Sequence, residues 1–152
     1  LPIYYRCKAF EVKLRKLIFA DCGTPVVITG VADQLLPGKV IEYKTRYSAF
    51  QYESYADSMQ WRLYCLLFNV PTVNYKVWEM KHDAKQNTAK VKQYVNFELH
   101  EYANLERDVM NCITGLLSLL RIINYIDNPA FKYDGPTPEL LQLNRGYNAT
   151  LH

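Results

Sequence analysis

Three side chains in the first third of the chain could do chemistry together. Asp33 closes the run Gly30-Val31-Ala32-Asp33, and Glu42 and Lys44 interrupt the run Val40-Ile41-Glu42-Tyr43-Lys44-Thr45. In a strand, residues two apart point to one face, so Glu42 and Lys44 share a face while Ile41 and Tyr43 take the other. Between the runs, Leu35-Leu36-Pro37-Gly38-Lys39 carries a Pro-Gly turn signal, which reads as a hairpin-like connection that folds Glu42 back towards Asp33. Two carboxylates and an ammonium then meet at one sheet edge. Hydrolysis of a phosphodiester needs a metal held by hard oxygens, a nucleophilic water and positive charge near the phosphate. Mg²⁺ takes one or two carboxylates and keeps several waters. Asp33 and Glu42 supply the carboxylates, and the Tyr43 backbone carbonyl is a candidate third oxygen. Lys44 would hold or help deprotonate the attacking water and balance developing charge.

The neighbouring stretches must position these groups. Phe10 to Phe19 mixes alternation with β-branched and aromatic residues and favours a strand with Val12 and Leu14 on one face, helix being the alternative. Asp21 to Pro25 reads as a turn, and Val26 to Thr29 as a strand running into Gly30 and Asp33. Arg46 to Gln51 is a polar and aromatic loop adjoining the site. Tyr52 to Val70 reads as one helix ended by Pro71. Its expected buried stripe is Met59, Leu63, Leu66, Leu67 and Val70, with Glu53, Asp57, Gln60 and Tyr64 on a polar face. Val73 to Lys81 alternates, with Val73, Tyr75, Val77 and Glu79 on one side, and Val91 to Leu99 alternates again. These two form a second hairpin through His82 to Lys90. Leu105 to Ile126 reads as a long helix with Val109, Ile113, Leu116, Leu117, Leu120 and Ile123 inward. Glu106 and Asp108 in its first turn suit the helix dipole. The tail beyond Asn128-Pro129, with Gly135, Pro136, Pro138 and Gly146, reads as loop with one short helix. The fold class is α/β: a mixed central β-sheet flanked by helices.

With 152 residues the chain is read as one domain, 1–152, large enough for a core. Leu1 stands where an initiator Met would be, which is consistent with a chain that begins inside a longer protein. The net charge of +3 permits a nucleic-acid partner without arguing for one. Most of the 13 tyrosines are expected as half-buried sheet residues, although rings can also stack on bases. Cys7, Cys22, Cys65 and Cys112 form no CxxC pair, so zinc and iron–sulfur spacings are missing and free thiols are expected. Nothing resembles a signal peptide or a membrane span: the longest apolar stretch, Ile113 to Ile126, is short and contains Arg121. A cytoplasmic setting, without membrane partners, is the expectation.

Gly30-xx-Asp33 followed by Glu42-x-Lys44 resembles the core motif of the PD-(D/E)XK nuclease superfamily. Gln60-Trp61-Arg62-Leu63-Tyr64 on the following helix looks like the Gln-xxx-Tyr motif of its RecB-like and phage-exonuclease branch. Glu11 looks like the acid that these nucleases often carry one strand earlier. The resemblance covers roughly the first half of the chain. It implies a restriction-endonuclease-like core, Mg²⁺ or Mn²⁺ on Asp33 and Glu42 with Glu11 as a further candidate ligand, and Lys44 as catalytic lysine. Gln60 would support the site or contact the DNA backbone with Tyr64 and Arg46 nearby, and no iron–sulfur cluster is implied. Many RecB-type members place a His or Glu on a helix before the first strand, and no such helix is evident here.

The function so implied is metal-dependent DNA cleavage, with an exonuclease of recombination, repair or phage DNA processing favoured by analogy, in a bacterial or phage-infected cell. A structure- or site-specific endonuclease and a non-catalytic nucleic-acid-binding module are the alternatives. Homo-oligomers and larger recombination complexes both remain open as assemblies. Read blandly, Asp33 is a turn-capping acid, Glu42 and Lys44 a surface ion pair, and Gln60 and Tyr64 a polar pair on a wet helix face. Lys13/Arg15/Lys16 and Lys85/Lys90/Lys92 are by default solvated strand edges.

Overall fold

The computed structural model describes residues 9–20 and 23–129. Five strands form one mixed sheet in the order β1-β2-β3-β4-β5: β1 Ala9–Phe19, β2 Pro25–Leu36, β3 Lys39–Arg46, β4 Thr72–Asp83 and β5 Thr88–His100. Helices α1 (Glu53–Ala56) and α2 (Met59–Phe68) lie between β3 and β4, and α3 (Leu105–Ile122) follows β5. The connection through α1 and α2 makes β3 and β4 parallel, whereas β2–β3 and β4–β5 are antiparallel. That is the expected α/β class, because a parallel neighbour needs a crossover and an antiparallel one only a turn.

The first hairpin is tighter than its sequence reading. Leu35, Leu36 and Lys39 belong to the strands, pairing as Leu35↔Val40 and Leu36↔Lys39, and only Pro37-Gly38 turns the chain. Proline's ring fixes its own φ, and Gly38 takes φ +69, a value that penalises any Cβ.

The expected single helix from Tyr52 to Val70 is two. Ser58 sits in an extended conformation (φ -64, ψ 139) and its Oγ accepts from the Gln60 N–H at 3.1 Å, so it starts a new helix rather than continuing the old one. Trp61 Nε1 donates to the Ala56 carbonyl at 3.0 Å and ties the two together. Asn69, in the left-handed region at φ 52, ends α2 before Pro71 is reached.

The buried stripe of α2 also differs. Trp61, Tyr64, Cys65, Leu67 and Phe68 are buried, whereas Met59, Leu63 and Leu66 are only half-buried. The expected stripe counted Tyr64 as polar. Its hydroxyl finds a partner inside, so its ring can turn inward.

Gly30 sets how closely α2 approaches β2. A Cβ there would fall 2.7 Å from Leu67 Cδ2 and 3.3 Å from Tyr64 Cε1. The glycine of the Gly-xx-Asp run is therefore a packing requirement.

The described residues form two compact units. One holds residues 9–14 and Gly30–Leu105; the other holds Arg15–Thr29 and the chain from Glu106. In the first, Val40, Ile41, Val73, Tyr75, Val77 and Leu99 are buried with the inner face of α2. In the second, the Gly23 N–H donates to the Ala20 carbonyl at 2.7 Å in the β1–β2 turn, and Arg121 Nη2 donates to Thr24 Oγ1 at 2.7 Å. Val109 and Leu120 of α3 are buried as expected, but Leu116 and Ile123 are exposed. The 3.6-residue period identifies a helix face without saying how far along the helix it is covered. Asn124, at φ 52, closes α3 at Ile122, short of the expected Ile126. The expectations for Cys7, Cys22 and the tail from residue 130 lie outside the described residues, and among those described Cys65 and Cys112 are free thiols.

Two glycine substitutions should diverge. Gly30→Ala should lower stability by about 1–3 kcal/mol through overpacking against Leu67. Gly115→Ala, in α3 with open space around the added carbon, should be neutral or raise stability by up to about 1 kcal/mol. Thermal melts of both variants beside wild type check the pair, and an unaffected Gly30→Ala would contradict the packing role.

Candidate active site

Antiparallel pairing brings Asp33 opposite the start of the Glu42–Lys44 segment. The backbone ladder runs from Leu36↔Lys39 to Gln34↔Ile41. Next to it, side chains take over. The Tyr43 N–H donates to Asp33 Oδ2 at 2.8 Å, and the Asp33 N–H donates to Glu42 Oε1 at 3.2 Å. Each carboxylate is thus braced by the backbone of the opposite strand. Lys44 Nζ donates to Glu42 Oε2 at 2.8 Å. Asp33, Glu42 and Lys44 are brought together by bonds, not merely by proximity.

Their environments differ. Glu42 is 1% exposed, whereas Asp33 and Lys44 are half-buried. Burial pushes the Glu42 carboxyl above the usual glutamate value, and the Lys44 hydrogen bond and charge offset only part of that. For Lys44, burial pulls downward, but the Glu42 hydrogen bond and charge outweigh it and hold the ammonium above its ordinary value. Lys44 is therefore a cation at neutral pH.

Gln60 and Tyr64 reach the site indirectly. Gln60 is exposed and its Nε2 donates to Tyr64 Oη at 3.1 Å. Tyr64 in turn donates to the Val31 carbonyl at 2.9 Å, two residues before Asp33. Burial raises the phenol's pKa, with the Glu42 charge adding to it, so the hydroxyl stays protonated and remains a donor. Tyr64 pins α2 to the strand that carries Asp33. It was read from the sequence as a surface partner of Gln60, and it is a buried tether.

Arg46 continues the Glu42–Lys44 face two residues on. Its guanidinium donates to Ser48 Oγ, at 2.8 Å from Nη2, and lies 5.9 Å from the centre of the Tyr55 ring. It bonds to neither carboxylate among these contacts. Glu11 is exposed, at φ 51 in β1. Among the described residues no three His, Cys, Asp or Glu side chains gather as a metal site, so Glu11 does not join Asp33 and Glu42. Tyr43 enters through its N–H, and its carbonyl makes none of the site bonds described above.

The donor set fits a small hard cation. Two carboxylates from neighbouring strands match the one or two that Mg²⁺ usually takes from protein, with water and substrate oxygens completing its shell. Asp33 uses Oδ2 for the Tyr43 N–H, which leaves Oδ1 outside these bonds.

Glu79 was read only as one member of an alternating face. It lies beside Arg46 in the β3–β4 register and is 4% exposed. Its oxygens accept from Lys92 Nζ at 2.5 Å and from the Phe50 N–H at 2.9 Å. These bonds hold its carboxyl below the usual value and fasten the loop after Arg46. The available signal was an acid continuing the Val73, Tyr75, Val77 face: an inward position occupied by a charge calls for a partner.

The Glu42 shift predicts a pH dependence for stability in chelator. Because the folded pKa is raised, the native state binds the proton more tightly, and wild type loses stability as pH rises from the ordinary glutamate value through the raised one. Gln at that position does not titrate. The stability of Glu42→Gln relative to wild type should therefore climb across that window and level off above it; denaturant melts at a series of pH values would contradict the assignment if the difference fell instead. Tyr64→Phe should cost about 1 kcal/mol from the lost bond to Val31, read in the same melts.

No protein-family model matches the chain, and no curated protein matches it. Among solved structures, the crystal structure of SSO0001 is similar with a TM-score of 0.53 and 21% identity, over 72% of this chain and 50% of that one. The crystal structure of a "Putative exonuclease" from Eubacterium rectale gives a TM-score of 0.39 and 12% identity, over 93% of this chain and 59% of that one. This chain thus spans half the length of the first and less than two thirds of the second. At that TM-score the second likeness carries no argument about this chain. The first is a likeness of fold: a mixed α/β sheet with its helices.

Proposed function

We propose that the chain is a metal-dependent nuclease of the PD-(D/E)XK, RecB-like type, acting on DNA and most consistent with an exonuclease. The observation that carries this reading is the exchange of bonds among Asp33, Tyr43, Glu42 and Lys44. A surface ion pair needs no buried carboxylate, yet Glu42 is 1% exposed despite the desolvation that this costs. Perturbed carboxylates of this kind cluster at functional sites.

Asp33 and Glu42 would hold Mg²⁺ or Mn²⁺, which supplies Lewis-acid stabilisation of charge on the phosphoryl oxygens. The chain's own residues do the rest. Lys44, kept protonated by Glu42, presents an ammonium where negative charge grows as water attacks phosphorus. The Tyr43 N–H orients the Asp33 carboxylate, and the Asp33 N–H orients that of Glu42. Tyr64, tied to Val31, fixes the strand under Asp33 and places Gln60 at the rim. Arg46, further along the same face, is suited to contact the nucleic-acid backbone. Water is the nucleophile; no covalent enzyme intermediate is needed.

Cleavage of linear and covalently closed circular DNA with Mg²⁺ or Mn²⁺ tests the reading. Wild type should degrade linear DNA and spare circles, and Asp33→Asn and Lys44→Ala should each slow it on the order of 100-fold or more, with circular dichroism confirming that both variants fold. Gln60→Ala should have a smaller effect. Equal activity in wild type and both core variants would overturn the assigned site. Cutting of closed circles would replace the exonuclease reading with an endonuclease.

A further inference from the structure

Successive strand residues face opposite ways, so Tyr43 projects from the sheet face opposite Glu42 and Lys44. On that face the β3–β4 register sets Tyr43 beside Lys76 and Thr45 beside Trp78, and the β4–β5 register sets Trp78 beside Tyr94. Three rings on three adjacent strands follow one another. Tyr43 and Trp78 are stacked with centroids 6.0 Å apart, and Trp78 and Tyr94 are 5.1 Å apart. Lys76 Nζ lies 5.5 Å from the centre of the Tyr43 ring, and Tyr43 Oη donates to Gln34 Oε1 at 2.6 Å, which fixes the ring's orientation.

These rings are not packed away. Tyr43 is 38% exposed and Tyr94 50%, and Trp78 is half-buried. Cross-strand aromatic pairs do stabilise sheets, but a strand-to-strand row that leaves ring surface in water forgoes much of the burial that aromatic residues usually supply. The β4–β5 hairpin as a whole has a surplus of positive charge, and Lys76 brings part of it to the face of the row. The β4–β5 hairpin carries Lys76, Lys81, Lys85, Lys90 and Lys92 against Glu79, Asp83 and Glu98. Lys90 and Lys92 pair with Asp83 and Glu79, and Glu98 pairs with Lys39, so Lys76, Lys81 and Lys85 stand outside the ion pairs formed among the described residues. Planar rings with an accessible face and the Lys76 ammonium beside them complement unpaired bases joined by phosphates. Bases inside a duplex are already stacked on each other and cannot lie on a protein ring.

We propose that the Tyr43–Trp78–Tyr94 row, with Lys76, is a stacking platform for single-stranded nucleic acid. The row lies on the sheet face opposite the Glu42 and Lys44 side chains, so it is a binding surface separate from the candidate catalytic centre. Binding there does not rest on the hydrolase reading above.

The test is fluorescence anisotropy of a labelled oligothymidine of about 15 nucleotides and of a blunt duplex, both in EDTA so that nothing is cut. Tyr94→Ala and Trp78→Leu should each weaken single-strand binding between about 5- and 100-fold and leave duplex binding unchanged. Lys76→Gln should lower the salt dependence of binding by about one counterion. Tyr94 is exposed on the sheet's outer strand, and a thermal melt checks that its variant folds. Unchanged single-strand affinity in Tyr94→Ala and Trp78→Leu overturns the proposal. So does a Tyr94→Ala variant that loses self-association in sedimentation while keeping its oligonucleotide affinity, which assigns the face to a second copy of the chain. Weakened binding in the variants, alongside a wild type that cuts no DNA, supports the platform and rejects the hydrolase reading alone.

Discussion

A carboxylate can be buried only where something replaces the water it leaves, and here the replacement is the backbone of the neighbouring strand. The Tyr43 N–H serves Asp33 and the Asp33 N–H serves Glu42. The donors are parts of the sheet itself, so the two acids cannot move without disturbing the β2–β3 hairpin. Charge-assisted bonds of this kind are among the stronger ones a protein makes. The short Pro37-Gly38 turn sets the register that makes the exchange possible, and a slip of one residue would send Glu42 and Lys44 to the opposite face.

The other parts of the first compact unit reinforce that arrangement. Gly30 lets α2 close on β2, and the approach carries the Tyr64 hydroxyl to the Val31 carbonyl. One helix thereby holds the strand of Asp33 from behind. Further along the same face, Glu79 anchors the loop after Arg46 through the Phe50 N–H. That loop leads into a cluster of rings: Phe50 stacks on Tyr55, and Tyr75, the register partner of Glu42, stacks on Phe97. Tyr75 is 1% exposed, so the floor beneath Glu42 is largely aromatic ring. A low local dielectric strengthens whatever electrostatic interactions the acids and the lysine make.

Much of this was legible beforehand where one short-range rule decides the matter. Strand alternation places Glu42 and Lys44 on one face, and Pro-Gly reverses the chain whatever surrounds it. What could not be read depended on distant partners. Ser58 is the exception, a local cap that bonds the Gln60 N–H two residues on, passed over because apolar residues at three- and four-residue spacing let Tyr52 to Val70 read as one helix. Tyr64 was counted as polar because its hydroxyl's partner, the Val31 carbonyl, lies 33 positions away in sequence. The buried state of Glu79 needs Lys92 from the next strand, and Leu116 of α3 has the right period yet stays in water. Gly30 belongs to both classes: its place in the motif was visible, but its reason, the Leu67 methyl, required the fold.

The account stands or falls on whether Asp33 and Glu42 together hold a hard cation. Crystals soaked in Mn²⁺ and measured at the manganese absorption edge address this directly, because manganese is then a far stronger anomalous scatterer than the sulfur of the chain's cysteines and methionines. The account predicts one strong peak shared by the Asp33 and Glu42 carboxylates, absent in Asp33→Asn crystals treated identically. A saturating soak that leaves that position empty, or a peak that persists unchanged in Asp33→Asn, would contradict it.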